Sequence, residues 1–265
     1  MSTPTVASLL RSSQALCGQV SEKETLNHGI CYYSRRFAPL PEANQFREVL
    51  IEDAADVPRA FEQTERWYQE RGLVCWRWAP ADGTASDALR DFLGGAGFRE
   101  RRYTALRLTH WPTFSPSPSI RVLPARAMRP AYQDTFLRSD EPAAPEVRGC
   151  RTHAWLERLD DPPFDMFVAL DNREPVGRCG LYQVGDIARV IDLHVLSAFA
   201  MRGVEESLLH HVLGLSRRLA MRTTCVQLCE EDRAALQLFT CAGFTPDGSI
   251  VEFERSVPPV DRPPP

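Results

Sequence analysis

The spacing of apolar residues changes repeatedly along the chain between a helical period and short runs rich in β-branched and aromatic residues. Apolar positions at helical spacing indicate helices at 57–71, 87–93, 203–219 and 232–242. In the first half, strand-like runs lie at 29–33, 46–51, 73–78 and 102–108. This mixture predicts an α/β protein in which helices flank a mixed sheet.

The second half of the chain contains a longer series of such elements. Strand-like runs at 120–123, 165–170, 176–184, 188–196, 224–228 and 249–254 alternate with helical segments, including 131–137 and 153–159. The resulting order is β, α, α, β, β, β, α, β, α, β. The three consecutive strands predict an antiparallel meander that leads into the helix at 203–219.

Segments rich in proline divide the chain. Residues 111–119 contain three prolines and three serines, which suits a linker better than a helix or a central strand. We therefore predict two units, 16–111 and 119–256. The first 15 or so residues are expected to be loosely attached, and the proline-rich tail 257–265 is expected to be extended and disordered.

Composition and charge exclude several classes of function. The formal net charge of -4 leaves no basic surface for nucleic acid, and no apolar run reaches the ~18 residues that span a membrane. None of the eight cysteines forms a C-x-x-C pair, so we predict no metal site and cysteines that are mostly small buried apolar residues. A soluble, cytoplasmic protein is expected.

Two segments of the second half contain more information than periodicity. The first, 195–209, is a strand that ends in small residues directly before a helix, an arrangement whose unpaired N–H groups suit a pyrophosphate. The second, 232–244, is an amphipathic helix that Gly243 ends, with Phe244 returning to the core.

In these segments the chain resembles the GNAT (general-control N-acetyltransferase) superfamily. That family has Q/R-x-x-G-x-G/A after its fourth strand, shortly before Leu-Leu; counting back from Leu208 and Leu209 places it on 200–205. Its later motif, N-x-x-A-x-x-L-Y-x-x-x-G-F, falls on Asp232, Ala235, Leu238, Phe239, Gly243 and Phe244. The resemblance implies a GNAT-like fold that uses acetyl-CoA to acetylate an amine, on a small molecule or a peptide.

The resemblance also implies which residues contact acetyl-CoA. They are Val195, Leu196, Ala200, Met201, Arg202, Gly203, Val204, Glu205, Asp232 and Phe239. Within the loop motif only Gly203 has the family's residue type, since Ala200 replaces Gln or Arg and Glu205 replaces a small residue. A carboxylate ~5 Å from a phosphate at an effective dielectric of ~20 repels it by about 3 kcal/mol. Alternatively, Glu205 and Glu206 satisfy the helix dipole themselves, in a loop that binds nothing.

Asp192 and His194 are the candidate catalytic residues. Both lie on the third meander strand with the spacing that directs them to one face. The resemblance implies that an acidic residue on this strand helps to deprotonate the amine, so Asp192 is the candidate base, directly or through water. For His194, the alternative to a catalytic role is a structural one. Phe239 stands where the family often has a tyrosine acid, and it has no proton to give the leaving thiolate.

The first unit repeats part of the pattern of the second. Residues 89–98 have the same helix–Gly–Phe ending as 236–244, which suggests a truncated GNAT-like half without a pyrophosphate loop. Two functions follow as alternatives. One is an N-acetyltransferase with a tandem arrangement, and the other is a catalytically silent GNAT-like fold that acts as a binding or scaffold module.

Overall fold

The computed structural model describes residues 3–140 and 143–255, and the tail predicted to be extended, 257–265, lies outside them. Within the described ranges, eleven strands form one mixed sheet. They are β1 (Glu22–Leu26), β2 (Gly29–Tyr33), β3 (Gln45–Val49), β4 (Arg77–Pro80), β5 (Phe98–Leu108), β6 (Ile120–Pro124), β7 (Phe164–Asp171), β8 (Glu174–Val184), β9 (Ile187–Val195), β10 (Thr223–Cys229) and β11 (Phe244–Arg255). The α-helices are α1 (Pro4–Gly18), α2 (Val57–Gln69), α3 (Asp87–Gly95), α4 (Arg129–Leu137), α5 (Pro145–Arg158), α6 (Val204–Arg218) and α7 (Arg233–Cys241).

Strands from the two predicted units interleave in this sheet. Its order is β1-β2-β3-β4-β11-β5-β10-β9-β8-β7-β6, so the last strand of the chain lies between β4 and β5. The antiparallel β5–β11 ladder is long and runs from the Phe244–Leu108 pair to the Arg255–Phe98 pair. Each half therefore completes its part of the sheet with a strand from the other. The division into units 16–111 and 119–256 stays a prediction.

The same succession of elements occurs in both halves. The first half contains β3-α2-β4-α3-β5, and the second contains β9-α6-β10-α7-β11. β3 is parallel to β4, and β9 is parallel to β10, so α2 and α6 are crossover helices. After α3 and α7 the chain turns at Gly97 and Gly243, whose φ values are 87° and 92°. Such left-handed turns favour glycine, which explains the repeated helix–Gly–Phe ending.

The first helix shows that the expectation of a loosely attached N-terminus is wrong. α1 begins with Thr3 as its N-cap, whose hydroxyl accepts a hydrogen bond from the Val6 N–H at 3.2 Å, and with Pro4 in its first turn. Val6 and Leu9 are buried against side chains of β5, β9, β10 and β11. α1 therefore covers the middle of the sheet, where strands of the two halves meet.

Two further segments differ from their predicted form. The strand predicted at 73–78 is wrong in its first four residues: β4 begins at Arg77, because the Leu73 N–H still bonds to the last turn of α2. The proline-rich segment 111–119 lies along α6. There the Trp111 ring contacts His210 at a centroid distance of 6.0 Å, and the Ser117 N–H donates to Ser207 Oγ at 3.0 Å.

Three further apolar clusters hold the other helices to the sheet. The largest lies between α6, α7 and the strands of the second half, and a second joins α2 and α3 to the strands of the first half. A third packs α4 and α5 on the opposite face of the meander from α6. Within the described ranges, every helix is too short or too polar to cross a bilayer.

Candidate active site

The strands β9 and β10 begin side by side and then separate. Their parallel pairing covers 187–189 of β9 and 223–225 of β10. β9 nevertheless continues to Val195, and β10 continues to Cys229. Past the paired residues, no strand of the described sheet lies between their facing edges. Backbone N–H and C=O groups on such edges can hydrogen-bond an extended ligand.

A β-bulge distorts β9 where the two strands separate. Asp192 has a φ of 50°, and the β8–β9 register shifts between Arg178 and Gly180. Left-handed backbone is uncommon outside glycine, and aspartate is among the residues that tolerate it. Bulges of this kind re-aim side chains and are frequent beside active sites. The bulge therefore makes residues 192–193 an irregular edge to the gap.

A cavity of about 440 Å³ occupies the gap. Its walls include residues 190–193 of β9 and 226–228 of β10, together with Asp232, Ala235 and Phe239. The remaining lining residues are Leu16, Glu42, Arg151, Trp155, Arg178 and Arg189. The predicted site residues Asp192, Asp232 and Phe239 thus line one cavity, although they are far apart in the sequence.

Asp192 is held by two neighbours on the cavity wall. Arg178 Nε donates to its Oδ2 at 2.8 Å, and the Tyr132 hydroxyl donates to the same oxygen at 3.5 Å. Arg178 also donates to the Thr135 carbonyl of α4. Burial, and next the charge of Asp192, raise the pKa of Tyr132 well above its ordinary value, so its hydroxyl stays a donor. The two donors therefore fix the position of the Asp192 carboxylate on the cavity wall.

His194 is on the same face of the sheet but outside the cavity. It is directly opposite Arg178 in the β8–β9 register, so the two side chains share a face, the one that carries α4. Among the described residues, those that line the cavity include Asp192 but not His194. The structure thus places the two predicted catalytic residues differently: Asp192 can reach a bound ligand, whereas His194 belongs to the surrounding shell.

The loop after β9 leads to an open helix terminus. It contains a single 3₁₀ turn and two left-handed residues, Met201 (φ 64°) and Gly203 (φ 76°). Gly203 is the N-cap of α6 and, as a glycine, provides no side-chain hydrogen bond to the N–H groups of the first turn. These groups lie at the carboxyl end of β9, beyond the point of strand separation. This is where open α/β sheets bind ligands.

Charged residues flank this terminus on both sides. Arg202 is 56% exposed, 3.4 Å from Asp171, and its guanidinium lies over the Phe199 ring. The pKa of Glu205 is raised above its ordinary value, mainly by burial. The Glu205 backbone N–H opposes this effect, and the charge of Glu206 adds to it. Glu205 therefore partly occupies the terminus itself, whereas Arg202 is accessible to an anion.

The other predicted cofactor residues divide between loop and core. Val195 packs against the core beside α6 and Leu196 is buried, with its N–H bonded to the Val176 carbonyl. Val204 is also buried, while Ala200 ends the 3₁₀ turn. On the far wall, Asp232 caps α7 by accepting a hydrogen bond from the Ala235 N–H at 3.0 Å. Phe239 is buried against Phe244 and forms apolar wall.

Sequence analysis missed most of the charged residues in the cavity. Glu42 and Leu16 come from the first half of the chain, and Trp155 and Arg151 come from α5. Only the packing of α1 and the order of the strands brings them together, and no local spacing records that. For Arg178 a signal existed, because a charged residue in the middle of the apolar run 176–184 must have a partner once buried.

No group of three or more potential ligands that could hold a metal ion comes together in the part of the chain that the structure describes. The lining of the cavity is instead suited to an organic ligand with polar and charged groups.

Comparison with known proteins agrees with the geometry. The sequence model described as "Acetyltransferase (GNAT) family" matches residues 125–244, which include the bulge, the loop and both walls of the gap. No curated protein matches the chain significantly.

Solved structures resemble the whole chain at low sequence identity. A GCN5-related N-acetyltransferase from Kribbella flavida has a TM-score of 0.69 and 11% identity, over 96% of this chain and 97% of its own. A functionally unknown conserved protein from Staphylococcus epidermidis ATCC 12228 has a TM-score of 0.68 and 13% identity, over 89% of this chain and 95% of its own. A GCN5-related N-acetyltransferase from Sphaerobacter thermophilus has a TM-score of 0.61 and 16% identity, over 98% of this chain and 94% of its own. At such identities these likenesses concern the fold. The chain carries a GNAT-family domain at 125–244 and has, over nearly all its length, the mixed α/β fold of GNAT N-acetyltransferases.

Proposed function

We propose that this protein transfers an acetyl group from acetyl-CoA to an amine. The observation that carries the proposal is the separation of β9 and β10 around a cavity of about 440 Å³, with the open terminus of α6 at the same end of the strands. A pantetheine arm is extended and rich in amides, as a gap between two strand edges requires, and a pyrophosphate suits helix N–H groups. The family match covers the same residues.

The proposed chemistry is direct attack of the amine on the thioester carbon. A C–N bond forms, the C–S bond breaks, and CoA leaves as a thiolate. Backbone groups at the bulge of β9 would orient the thioester, and holding amine and thioester together would supply much of the rate. Phe239 has no proton to donate, so water would protonate the thiolate.

In this proposal Asp192 assists the removal of a proton from the substrate ammonium, which gives the neutral amine that attacks. The carboxylate lines the cavity and Arg178 fixes it at 2.8 Å. Permanent protonation of Asp192 would leave the buried Arg178 charge without its partner, which is unfavourable. We therefore propose that the proton passes through an ordered water, which Asp192 orients and polarises. The water relays the proton to bulk solvent, so Asp192 assists the deprotonation without itself holding the proton.

A second proposal concerns the arrangement of the chain as two GNAT-like units, 16–111 and 119–256. Its support is the repeated succession β3-α2-β4-α3-β5 and β9-α6-β10-α7-β11 and the exchange of β5 and β11 between the halves. Of the two parallel pairs in the described residues, β9–β10 separates and β3–β4 stays paired, so one acetyl-CoA per chain is expected.

The alternative function is a silent scaffold. The observation in its favour is that Glu205 and Glu206 lie in the first turn of α6, at the terminus that should receive the pyrophosphate. A protein of this kind would keep the fold and bind no CoA.

A binding experiment separates the two functions. Acetyl-CoA and CoA are titrated by calorimetry and thermal shift; at 100 times Kd, binding should stabilise the protein by about 2.7 kcal/mol. Ala235→Trp should abolish binding because Ala235 lines the cavity. The matched control is Ala234→Trp, one residue earlier on the exposed face of α7, and it should bind normally. If the native chain binds neither ligand, or if both variants bind equally, the proposed site is wrong.

A further inference from the structure

A second cavity of about 290 Å³ adjoins the first. The two cavities share five lining residues, Leu16, Glu42, Trp155, Arg189 and Gln227. The second cavity lies under α1, where the halves meet, and extends away from the gap between β9 and β10. The shared lining residues therefore place the two cavities next to each other.

Most charges in this cavity are matched within the protein. Glu252 is 2.9 Å from Arg47 and 3.3 Å from Arg77, and Arg77 also pairs with Glu254. The Glu42 carboxylate receives two hydrogen bonds from Arg151, at 2.6 and 3.3 Å. These pairs are the usual way for a protein to bury charge.

Arg158 and Arg189 differ, since neither has a carboxylate within 4.0 Å in the described ranges. Arg158 is only 5% exposed, its Nε has no hydrogen-bond partner there, and its guanidinium lies over the ring of Trp155 at 4.6 Å. Arg189 donates to neutral groups, to Ser13 Oγ at 2.6 Å and to Gln227 Oε1 at 3.3 Å. Burial lowers the pKa of both arginines, as expected for cations without a matching anion.

We propose that Arg158 and Arg189 bind an anionic group of the acceptor, so that the substrate is a small amine that also carries a carboxylate or a phosphate. This inference rests on the proposed acetyl transfer. Guanidinium groups recognise both kinds of anion through charge-assisted hydrogen bonds. Bound there, the anion supplies the charge that the buried Arg158 and the half-buried Arg189 lack.

Glu42 completes the complementarity at the other end of the acceptor. It lines both cavities, and although burial tends to raise its pKa, Arg151 outweighs that effect and holds the pKa below the ordinary value. Glu42 is therefore charged, and because a carboxylate accepts more hydrogen bonds than the two from Arg151, it can also accept one from the ammonium beside both cavities. An acceptor with opposite charges at its two ends then lies with its anion in the second cavity and its nitrogen toward the thioester.

Matched pairs of acceptors test this specificity. Each amino acid is compared with its amide, and phosphoethanolamine with ethanolamine, by following release of CoA thiol. The anionic member of at least one pair should have a kcat/KM more than tenfold higher, and the pair that discriminates identifies carboxylate or phosphate. Equal rates within every pair would overturn the proposal while leaving acetyl transfer intact.

Variants then locate the recognition. Arg158→Met should raise the acceptor KM at least tenfold and leave the acetyl-CoA KM unchanged, whereas Arg158→Lys should recover part of the loss. Arg158→Met is expected to fold, because it removes a charge without a carboxylate partner and keeps an apolar contact with Trp155. The control is Arg121→Met, which removes an exposed charge on β6. An unchanged acceptor KM in Arg158→Met would contradict the assignment.

An experiment without CoA separates this inference from the proposed function. Melting temperature is measured against acetate and against inorganic phosphate at constant ionic strength, in Arg158→Met and in Arg121→Met. Stabilisation that only Arg158→Met loses upholds the anion site even if no amine is acetylated. Equal stabilisation of both variants, or of neither, overturns it even if acetyl-CoA binds.

Discussion

The parallel pairs β3–β4 and β9–β10 occupy equivalent places in the two halves, yet only the second pair separates. Pairing between β3 and β4 runs from Gln45–Arg77 to Val49–Pro80, and backbone hydrogen bonds from Trp76 and Ala81 extend it at both ends. Between β9 and β10, pairing stops after three residue pairs. Both first strands have one left-handed residue, Glu48 with φ of 56° and Asp192 with φ of 50°. The bulge is therefore common to both halves, and strand separation is not.

Side chains explain the difference. The closed pair is filled by aromatic rings: Phe46 and Trp78 contact edge to face at 4.7 Å, and Phe61 stacks on Trp78 at 6.0 Å. Trp78 is fully buried. At the open pair, polar and charged groups such as Arg189 and Gln227 flank the gap instead. Aromatic packing of this kind favours closure, whereas polar and charged side chains, which need hydrogen-bonding partners, favour a cavity.

The loops that follow β3 and β9 also differ, in their charge and in their glycine content. After β3 the chain contains Glu52, Asp53 and Asp56 and no glycine before α2. After β9 it contains Arg202 and the left-handed Gly203 before the open terminus of α6. The carboxylates of the first loop disfavour an anion, whereas the arginine and the helix N-terminus of the second are features that favour one. One topology thus provides a closed, structural half and an open half, and side chains decide which is which.

The largest expected effect concerns the independence of the halves. Cleaving the chain between residues 113 and 119 should give two fragments that do not fold alone. β5 and β11 each lie between strands of the other fragment, so isolation exposes long unpaired edges. Circular dichroism and gel filtration of 1–113, of 119–256 and of the co-expressed mixture measure this. A soluble, cooperatively melting 1–113 fragment would show that the first half is self-sufficient.

The next effect concerns the ion pair at the junction of the halves. Arg47 and Glu252 are 4% and 3% exposed and 2.9 Å apart, so Glu252→Gln should lower the free energy of unfolding by about 3–5 kcal/mol. Glu231→Gln is the control, because its partners Arg99 and Arg101 leave it 61% exposed and its pairing should contribute at most about 1 kcal/mol. Urea denaturation of both variants measures the difference.

The pair of Arg47 and Glu252 should also make the stability of the protein depend on pH, in a direction set by the pKa of Glu252. Burial tends to raise the pKa of Glu252, but Arg47 and Arg77 outweigh it, so the pKa is below its ordinary value. A carboxyl with a depressed folded-state pKa stabilises the protein above its unfolded-state pKa, and the stabilisation is lost as the pH falls through the folded-state value. The difference in stability between native protein and Glu252→Gln should therefore narrow on acidification below about pH 4.5. A constant difference would mean that the charge contributes nothing.

Local sequence signals predicted the open half well and the junction poorly. The meander β7–β8–β9 and the helices α6 and α7 lie close to their predicted ranges, because each buries one face in a regular period. α1 was missed, although Thr3 and Pro4 give the usual signal for the start of a helix. β11 begins five residues before its prediction, since pairing with β5 overrides the poor strand propensity of Pro246 and Gly248.

The candidate site likewise contains residues that local sequence signals could predict and residues that they could not. Asp192, Asp232 and Phe239 could be named from motifs, because they lie on elements whose order is readable in the sequence. Glu42, Arg158 and Arg189 could not be assigned to one cavity, because 116 residues separate Glu42 from Arg158 and only the interleaved sheet brings them together. Long-range pairing of this kind leaves no local pattern.

The next prediction compares the two bulge residues, Glu48 and Asp192. Asp192→Asn should lower turnover by about 10²-fold or more at neutral pH, because the water that takes the ammonium proton loses its anionic partner. Asparagine tolerates the left-handed backbone, so the bulge should persist. Glu48→Gln changes the equivalent carboxylate of the closed half and should leave turnover unchanged. Rates at neutral and alkaline pH and CoA affinities are measured for both.

Two results would remove Asp192 from the mechanism. One is native turnover in a folded Asp192→Asn protein that binds CoA. The other is a loss that stays the same at alkaline pH, where free amine from solvent should partly restore the rate. The second result would indicate a structural loss, because Arg178 is 1% exposed and the substitution leaves its buried charge without a carboxylate.

The smallest expected effect concerns Glu205 at the terminus of α6. Glu205→Gln should tighten CoA binding about tenfold at neutral pH, because it removes a charge that repels the pyrophosphate. Burial raises the pKa of Glu205, so in the native protein the carboxyl becomes neutral at a higher pH than an ordinary glutamate and the repulsion weakens as the pH falls. CoA affinity of the native protein should consequently rise on acidification more than that of Glu205→Gln. The phosphates of CoA also titrate, but they do so in both proteins, and the difference between the two calorimetric pH profiles isolates Glu205. Glu206→Gln is the neighbouring control, and a pH profile for Glu205→Gln identical to the native one would show that Glu205 faces away from the phosphates.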